Sequence, residues 1–244
     1  MNSSLAAASP GTVESSPTRT PWEEMPYPVA LVLRGRPCLV VGGGRVAGRK
    51  ASSLLVCGAA VTMVAPEVHE ALRLIAEVAR TCVSDGGTGR LDVQRRRYRR
   101  GEVAEYRLVV TATGDPDVDE AVYEDAESAG VWVNSADDPA HCSMMLPAVW
   151  RAGPVTVSVS TGGASPALAS WLRTRVAGST GDHVGRLATL LGEARRRLQE
   201  EGRPTGSVDW GAILNGPVTA LVAEGRTADA AAMIDDTLGL GRER

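Results

Sequence analysis

The chain has 244 residues, a formal net charge of −3, an ordinary apolar share of 43% and no Phe. That length allows one or two domains, and the core must be built mainly from Val, Leu and Ala. The charge provides no global field to draw in nucleic acid or a membrane surface. An anionic ligand must therefore be held by local basic groups. No apolar run is long enough to span a bilayer, and the N-terminus lacks the basic-then-apolar order of a secretory signal. Cys38, Cys57, Cys82 and Cys142 are far apart, with no CxxC pair. Reduced thiols and a cytoplasmic location are the expectation.

Residues 1–24 are rich in Ser, Thr, Pro and Ala and read as a disordered tail. "PCLVVGG" then suits a strand covered on both faces, and "RVAGRKASSLLVCG" a helix stopped at Gly58. "AVTMVAPE" is a second buried strand. Pro66, at the first turn, predicts a helix over "PEVHEALRLIAEVAR", and "SDGGTGR" a turn after it. "LDVQRRRY" is a weaker strand and "EYRLVVTATGD" a strong one. The acidic "DPDVDEAVYEDAESAG" is a helix, and "VWVNSADDP" a further strand. This alternation predicts an α/β fold, a Rossmann-like parallel sheet with helices on both faces.

Past residue 141 the rhythm changes. "MMLPAVWRAGPVTVSVSTGG" predicts two strands around a turn at Gly153 and Pro154. "ASPALASWLRTRV" opens a helix, with Ser165 as N-cap and Pro166 in its first turn. Val184, Leu187, Leu191, Ala194 and Leu198 form one apolar helical stripe. Two shorter helices near 217–224 and 228–238 would close a small bundle.

Gly42, Gly44 and Ala47 fit G-x-G-x-x-A between a strand and a helix. The first glycine makes the turn, the second lets the backbone approach a pyrophosphate, and the third small residue seats the helix on its strand. The helix N-terminus presents N–H groups to the phosphates, so Gly42, Gly43, Gly44 and Ala47 are candidate NAD contacts. Glu67 stands near the position from which an acidic residue meets the ribose hydroxyls. In a helix's first turn it would also be favourable with no ligand. No Arg or Lys lies between 61 and 70 to hold a 2′-phosphate, which favours NAD over NADP.

Ligands of open α/β sheets bind beyond the carboxyl ends of the strands. The glycine loop, "TATGD" with Thr113 as a cofactor candidate, and "NSADDPAHC" with Asn134 as a substrate candidate should converge there. Asp137 or Asp138 in the third loop offers a general base. Asp138, preceding Pro139, suits a turn, and Asp137 is preferred for chemistry. His141 and Cys142 lack further ligands nearby, so no metal site is expected. "QRRRYRR", Gln94 to Arg100, reads as a solvated face.

Together "VVGGGRVAGRKASSLLVCGAAVTMVAPE" and "VNSADDPAHCSMMLPAVWRAGPVTVSVSTGGASPALASWLR" resemble the precorrin-2 dehydrogenase and sirohydrochlorin ferrochelatase family, the siroheme synthase N-terminal module. The resemblance implies an NAD-binding Rossmann domain over 25–140, a dimerisation region over 141–178 and a C-terminal helical domain over 179–244. It implies a homodimer that oxidises precorrin-2 to sirohydrochlorin, with ferrous iron insertion in some members. It puts the catalytic Asp of N-x-x-D-x-P on Asp137 and cofactor contacts on Arg45, Val46, Pro66 and Glu67. "STGGASP", with Ser160, Thr161, Gly162, Gly163 and Ser165, would border the substrate cleft. The substrate's many carboxylates would be met by local arginines, with Arg45, Arg49, Lys50, Arg173 and Arg175 as candidates. The alternative is an NAD-sensing module without turnover.

Overall fold

The computed structural model describes residues 25–70, 89–136 and 138–240. The expected N-terminal tail, most of the helix expected after Pro66, the turn over 84–88, Cys82 and Asp137 itself lie outside the described residues. The chain divides into two compact units, one ending at Met145 and one beginning at Leu146.

The first unit is a five-stranded sheet in the order β3-β2-β1-β4-β5. Its strands are β1 (Pro37–Val41), β2 (Ala60–Ala65), β3 (Arg90–Arg95), β4 (Leu108–Thr111) and β5 (Trp132–Ser135), all parallel. β1 is central, so both its faces are covered. Cys38 and Val40 join a core with Ala47, Ala51, Leu54 and Leu55 of helix α1 (Arg45–Val56). Leu39 and Val41 join a separate core with Val122 and Ala126 of helix α2 (Pro116–Ala129). This alternation along one strand makes the three-layer α/β/α sandwich. α1 meets the sheet through Ala47, Gly48 and Ala51, residues small enough for close approach, and each leucine it buries contributes about 1.5–3 kcal/mol. α2 starts at Pro116 and ends at Gly130, whose φ is +64°, a left-handed stop that suits glycine.

One expectation fails. Pro66 to Glu70 form bends and a turn, not the first turn of a helix. The His69 N–H donates to the Gly43 carbonyl at 2.9 Å, and that bond draws the segment over the glycine loop.

The link between β3 and β4 is pinned by ion pairs. Arg96 meets Glu102 at 2.5 Å, and Asp125 of α2 accepts from the Tyr98 hydroxyl and the Gly101 N–H, both at 2.7 Å. Burial raises the Glu102 carboxyl, but hydrogen bonds from the Arg96 side chain and Arg99 N–H outweigh it and hold the group below its ordinary value.

The second unit opens with an antiparallel hairpin of β6 (Ala148–Ala152) and β7 (Val155–Val159). Its turn is Gly153 and Pro154, with Gly153 at φ +53°. Helix α3 (Pro166–Thr180) follows, and the Ser165 hydroxyl accepts from the Leu168 N–H at 3.2 Å. Helix α4 (His183–Glu200) buries Leu187, Ala194 and Leu198, with Leu191 packed beside them. At its start Gly185 is buried, and Val184 only partly so, because Gly185 meets the hairpin turn. Three short helices close this core: α5 (Trp210–Asn215), α6 (Pro217–Ala223) and α7 (Thr227–Leu238). α5 was not expected. Its signal was Asp209, whose carboxylate accepts from the Ala212 N–H at 2.9 Å. Arg197 of α4 meets Asp235 of α7 at 2.6 Å. Residues 141–145 of the region expected over 141–178 belong to the first unit, and the rest of it meets the region expected over 179–244 within this unit through α4 and the hairpin.

Two outcomes follow. A Cβ at Gly185 would stand 2.6 Å from the Ala152 carbonyl oxygen, so Gly185→Ala should destabilise the second unit by about 1–3 kcal/mol in denaturant unfolding. Glu102 has its folded pKa lowered from 4.5, so its pair with Arg96 contributes fully above that value. The contribution is lost as pH falls through the lowered folded value. The acid limb of a stability–pH curve should therefore flatten in Arg96→Ala.

Candidate active site

The sheet reverses its winding beside β1: β2 and β3 lie on one side of it, and β4 and β5 on the other. The crevice beyond the carboxyl ends of β1 and β4 is where this architecture seats ligands. Gly42, with φ +124°, leads out of β1 and donates its N–H to Val64 O at 2.9 Å. A Cβ there would lie 2.3 Å from the Ala112 carbonyl oxygen, so only glycine fits beside the loop after β4.

Gly43 is held more tightly. Its Cβ would fall 1.9 Å from the Glu67 carbonyl oxygen and 2.9 Å from the Ala65 Cβ. Gly44, the N-cap of α1, differs: a Cβ there would meet no atom of the described residues within 4 Å. The first two glycines are required by the protein's own packing. The third leaves clear space above the helix N-terminus.

Among the described residues no side chain caps α1, and no carboxylate stands in its first turn. Its terminal N–H groups and dipole are therefore available to an anion. Arg45 is exposed and Val46 half-buried at this terminus, while Ala47 is fully buried against the sheet. A cradle that a side chain at Gly44 would fill, over an uncapped helix start, fits a dinucleotide pyrophosphate. Pro66 and Glu67 are both exposed beside it. The Glu67 main chain, not its carboxylate, forms the contact with the loop.

Thr113 follows β4, but its hydroxyl is committed internally. It donates to Asp119 Oδ1 of α2 at 2.7 Å, and the buried Thr111 hydroxyl donates to the same oxygen. The Thr113 N–H reaches that oxygen at 3.4 Å. Asp119 thus shapes the second loop from across the helix. Sequence reasoning missed it, and its signal was a carboxylate in the first turn of an acidic helix.

The third loop is anchored on both sides of Asp137. Before it, the Ala136 N–H donates to Thr111 O at 2.8 Å. After it, Asp138 caps a short 3₁₀ turn (Pro139–His141), accepting from the Ala140 N–H at 3.2 Å and pairing with His141 Nδ1 at 2.6 Å. The Tyr123 and His141 rings lie 4.9 Å apart. The Cys142 thiol donates to the Ser135 and Asp138 carbonyls at 3.3 Å. Burial is the largest influence on that thiol and pushes it up, which keeps it a neutral structural group. Asn134 is buried, and its amide donates to Met144 O at 3.1 Å, so it fastens this loop from below. The Ser135 hydroxyl is buried with no partner among the described residues.

In the second unit, Ser160, Thr161 and Ser165 shape their own loop. The Thr161 hydroxyl donates to Ser165 O at 3.1 Å and accepts from the Ser165 N–H at 3.0 Å. The Ser160 hydroxyl accepts from the Gly162 N–H at 3.2 Å. Gly162 and Gly163 have φ of +63° and +93°, so this turn needs glycine at both positions. Of the arginine candidates, Arg173 has a buried Nε with no hydrogen-bond partner among the described residues, and the Arg175 guanidinium lies 4.9 Å from the Trp171 ring.

Among the described residues no group of His, Cys, Asp or Glu could hold a metal ion. A groove of about 550 Å³ lined by Leu33, Tyr106, Val131 and Trp132 lies at the amino-terminal ends of the strands, opposite the glycine loop.

The sheet order, the glycine cradle and the uncapped helix define an NAD-binding Rossmann protein. A family model described as putative NAD(P)-binding matches residues 29–148, and one described as sirohaem biosynthesis protein central matches 153–179. The chain belongs to the precorrin-2 dehydrogenase and sirohydrochlorin ferrochelatase family found in siroheme synthases. It is 35% identical over 213 residues to the siroheme synthase of Nitrosococcus oceani, covering 86% of this chain and 43% of that protein. It is 39% identical over 206 residues to that of Methylococcus capsulatus, covering 83% and 41%. The chain thus spans less than half the length of these curated relatives. The solved structure of SirC, precorrin-2 dehydrogenase, superposes with a TM-score of 0.60 at 25% identity, covering 86% of this chain and 99% of that one.

The packing around Gly43 and Gly44 separates folding from binding. Gly43→Ala should lower the unfolding midpoint, because the Glu67 backbone blocks its Cβ. Gly44→Ala should keep the midpoint and weaken NAD by about tenfold or more in a fluorescence titration, by crowding the pyrophosphate.

Proposed function

We propose that the chain catalyses the NAD-dependent oxidation of precorrin-2 to sirohydrochlorin. The observation that carries this reading is the meeting of two features at one edge of the sheet. The glycine cradle ends β1, and the loop of N-x-x-D-x-P, anchored before and after Asp137, ends β5. A sensing module without turnover has no use for a carboxylate held there.

Bound NAD supplies the acceptor for a hydride from the macrocycle. The chain's part is to seat the pyrophosphate over α1 and to hold the Asp137 carboxylate beside the ring. Asp137 takes the ring proton released with the hydride and passes it to water. Asp138 is spent on its cap and on His141, which leaves Asp137 as the loop's base. Asn134 supports the loop. Arg45, Arg49 and Lys50 in the first unit, and the Ser160–Ser165 turn, Arg173 and Arg175 in the second, are each proposed as contacts for substrate carboxylates.

Ferrous iron, where it is inserted, is a substrate. The macrocycle nitrogens take it, and Asp137 accepts the displaced pyrrole protons. We further propose a homodimer acting in the cytoplasm. Leu168 and Trp171, 47% and 54% exposed on α3, give a second copy an apolar surface to cover. No described helix is long and apolar enough to cross a membrane.

Anaerobic incubation with precorrin-2 and NAD, followed by the sirohydrochlorin absorbance, tests the reading. Asp137→Ala should lower turnover by about 10²–10⁴-fold while NAD affinity is kept. Asp138→Ala should retain measurable turnover. If wild-type protein produces no NAD-dependent sirohydrochlorin, the reading is wrong, and if Asp138→Ala is the inactive variant, the base is misassigned.

A further inference from the structure

The register of β3 brings a basic residue to the adenosine end of the site. Arg95, the last residue of β3, lies opposite Ala65, the last residue of β2. Neighbouring strands are about 4.8 Å apart. Side chains alternate along a strand, and Leu91 packs into the core on the α1 side. Val93 and Arg95 therefore share that face. Arg96 points the other way, to Glu102. Ala65 is the residue whose Cβ abuts Gly43. Arg95 thus stands two strands from β1, beside the Ala65 that abuts the glycine cradle, on the α1 face and at the carboxyl end of the sheet.

Of the arginines of "QRRRYRR", only Arg95 belongs to β3. Arg96 and Arg100 are neutralised by Glu102, Glu124 and Asp125. Arg95 is exposed and has no hydrogen-bond or ion-pair partner among the described residues. Glu67, two residues beyond Ala65, is exposed as well.

In dinucleotide-binding sheets the ribose of adenosine lies beyond the end of the second strand. A carboxylate there selects the free hydroxyls, and an arginine nearby accommodates a 2′-phosphate. This chain has both, one from the segment after β2 and one from β3. We propose that Arg95 faces the 2′ position of the adenosine ribose and lets the domain hold NADP as well as NAD. The guanidinium would form charge-assisted hydrogen bonds to the phosphate oxygens, while Glu67 favours the unphosphorylated ribose. The inference rests on the dinucleotide reading of the glycine cradle, and it adds the ligand that the absence of a base between 61 and 70 argued against.

The test is binding without turnover. The full chain is titrated with NAD and separately with NADP, read by intrinsic fluorescence and calorimetry. Wild-type protein should bind NADP within about tenfold of NAD. Arg95→Ala should weaken NADP by about 10- to 100-fold and NAD by no more than about threefold. Glu67→Gln should shift the ratio towards NADP. Arg95 is exposed on an edge strand, so an unchanged unfolding midpoint is expected as the control. NAD binding without NADP binding, or an Arg95→Ala variant that spares NADP or weakens both ligands alike, overturns the inference and leaves the cradle intact. Binding of neither dinucleotide overturns both.

Discussion

The glycine loop is wedged between two stretches of backbone, and the site depends on that wedge. Gly42 lies against the Ala112 carbonyl, and Gly43 against the Glu67 carbonyl and Ala65. Neither contact leaves room for a Cβ. Backbone packed on backbone cannot relax as a side chain does, so the loop has one position. The third glycine stays open because the first two have spent their freedom on this packing. Of the three successive glycines, two are packed on backbone and the third is open among the described residues.

The same wedge ties three strand ends together. Gly42 reaches the loop after β4, and Gly43 reaches the segment after β2, through both the steric contact and the bond from His69. Across β4, Asp119 gathers two threonine hydroxyls and a backbone N–H onto a single oxygen. Across β5, the Thr111 carbonyl holds Ala136, and Asp138 holds the following turn. The loops that would surround a nicotinamide are therefore fastened by polar contacts within the protein. That is the condition for a base to meet its proton at a set distance without reorganisation.

Arg96 and Arg100, in the segment after β3, are neutralised by carboxylates and serve stability, while the role proposed for Arg95, at the end of β3, is recognition. Arg96, Tyr98 and Arg100 tie the edge strand to α2 and the turn before β4. The run that reads in sequence as a solvated face thus also carries ion pairs that support the fold.

Much of the first unit was legible from sequence. Short Val-rich runs alternating with amphipathic stretches set the strands, the helices and the G-x-G-x-x-A crossing. These are local signals of periodicity and turn chemistry. Asp138 as a turn residue and Ser165 as a cap were legible for the same reason, since a cap reaches only two or three residues along the chain. Other features arise from contacts between distant segments. The chain folding back over Gly43 displaced the helix start expected at Pro66. Asp119 reaches Thr111 only once α2 lies against β4. Arg95 comes beside Ala65 only through the pairing of β2 with β3. Local propensity carries no information about which backbone atoms meet across a sheet, so the register alone decided which glycine is free and which arginine attends the ribose.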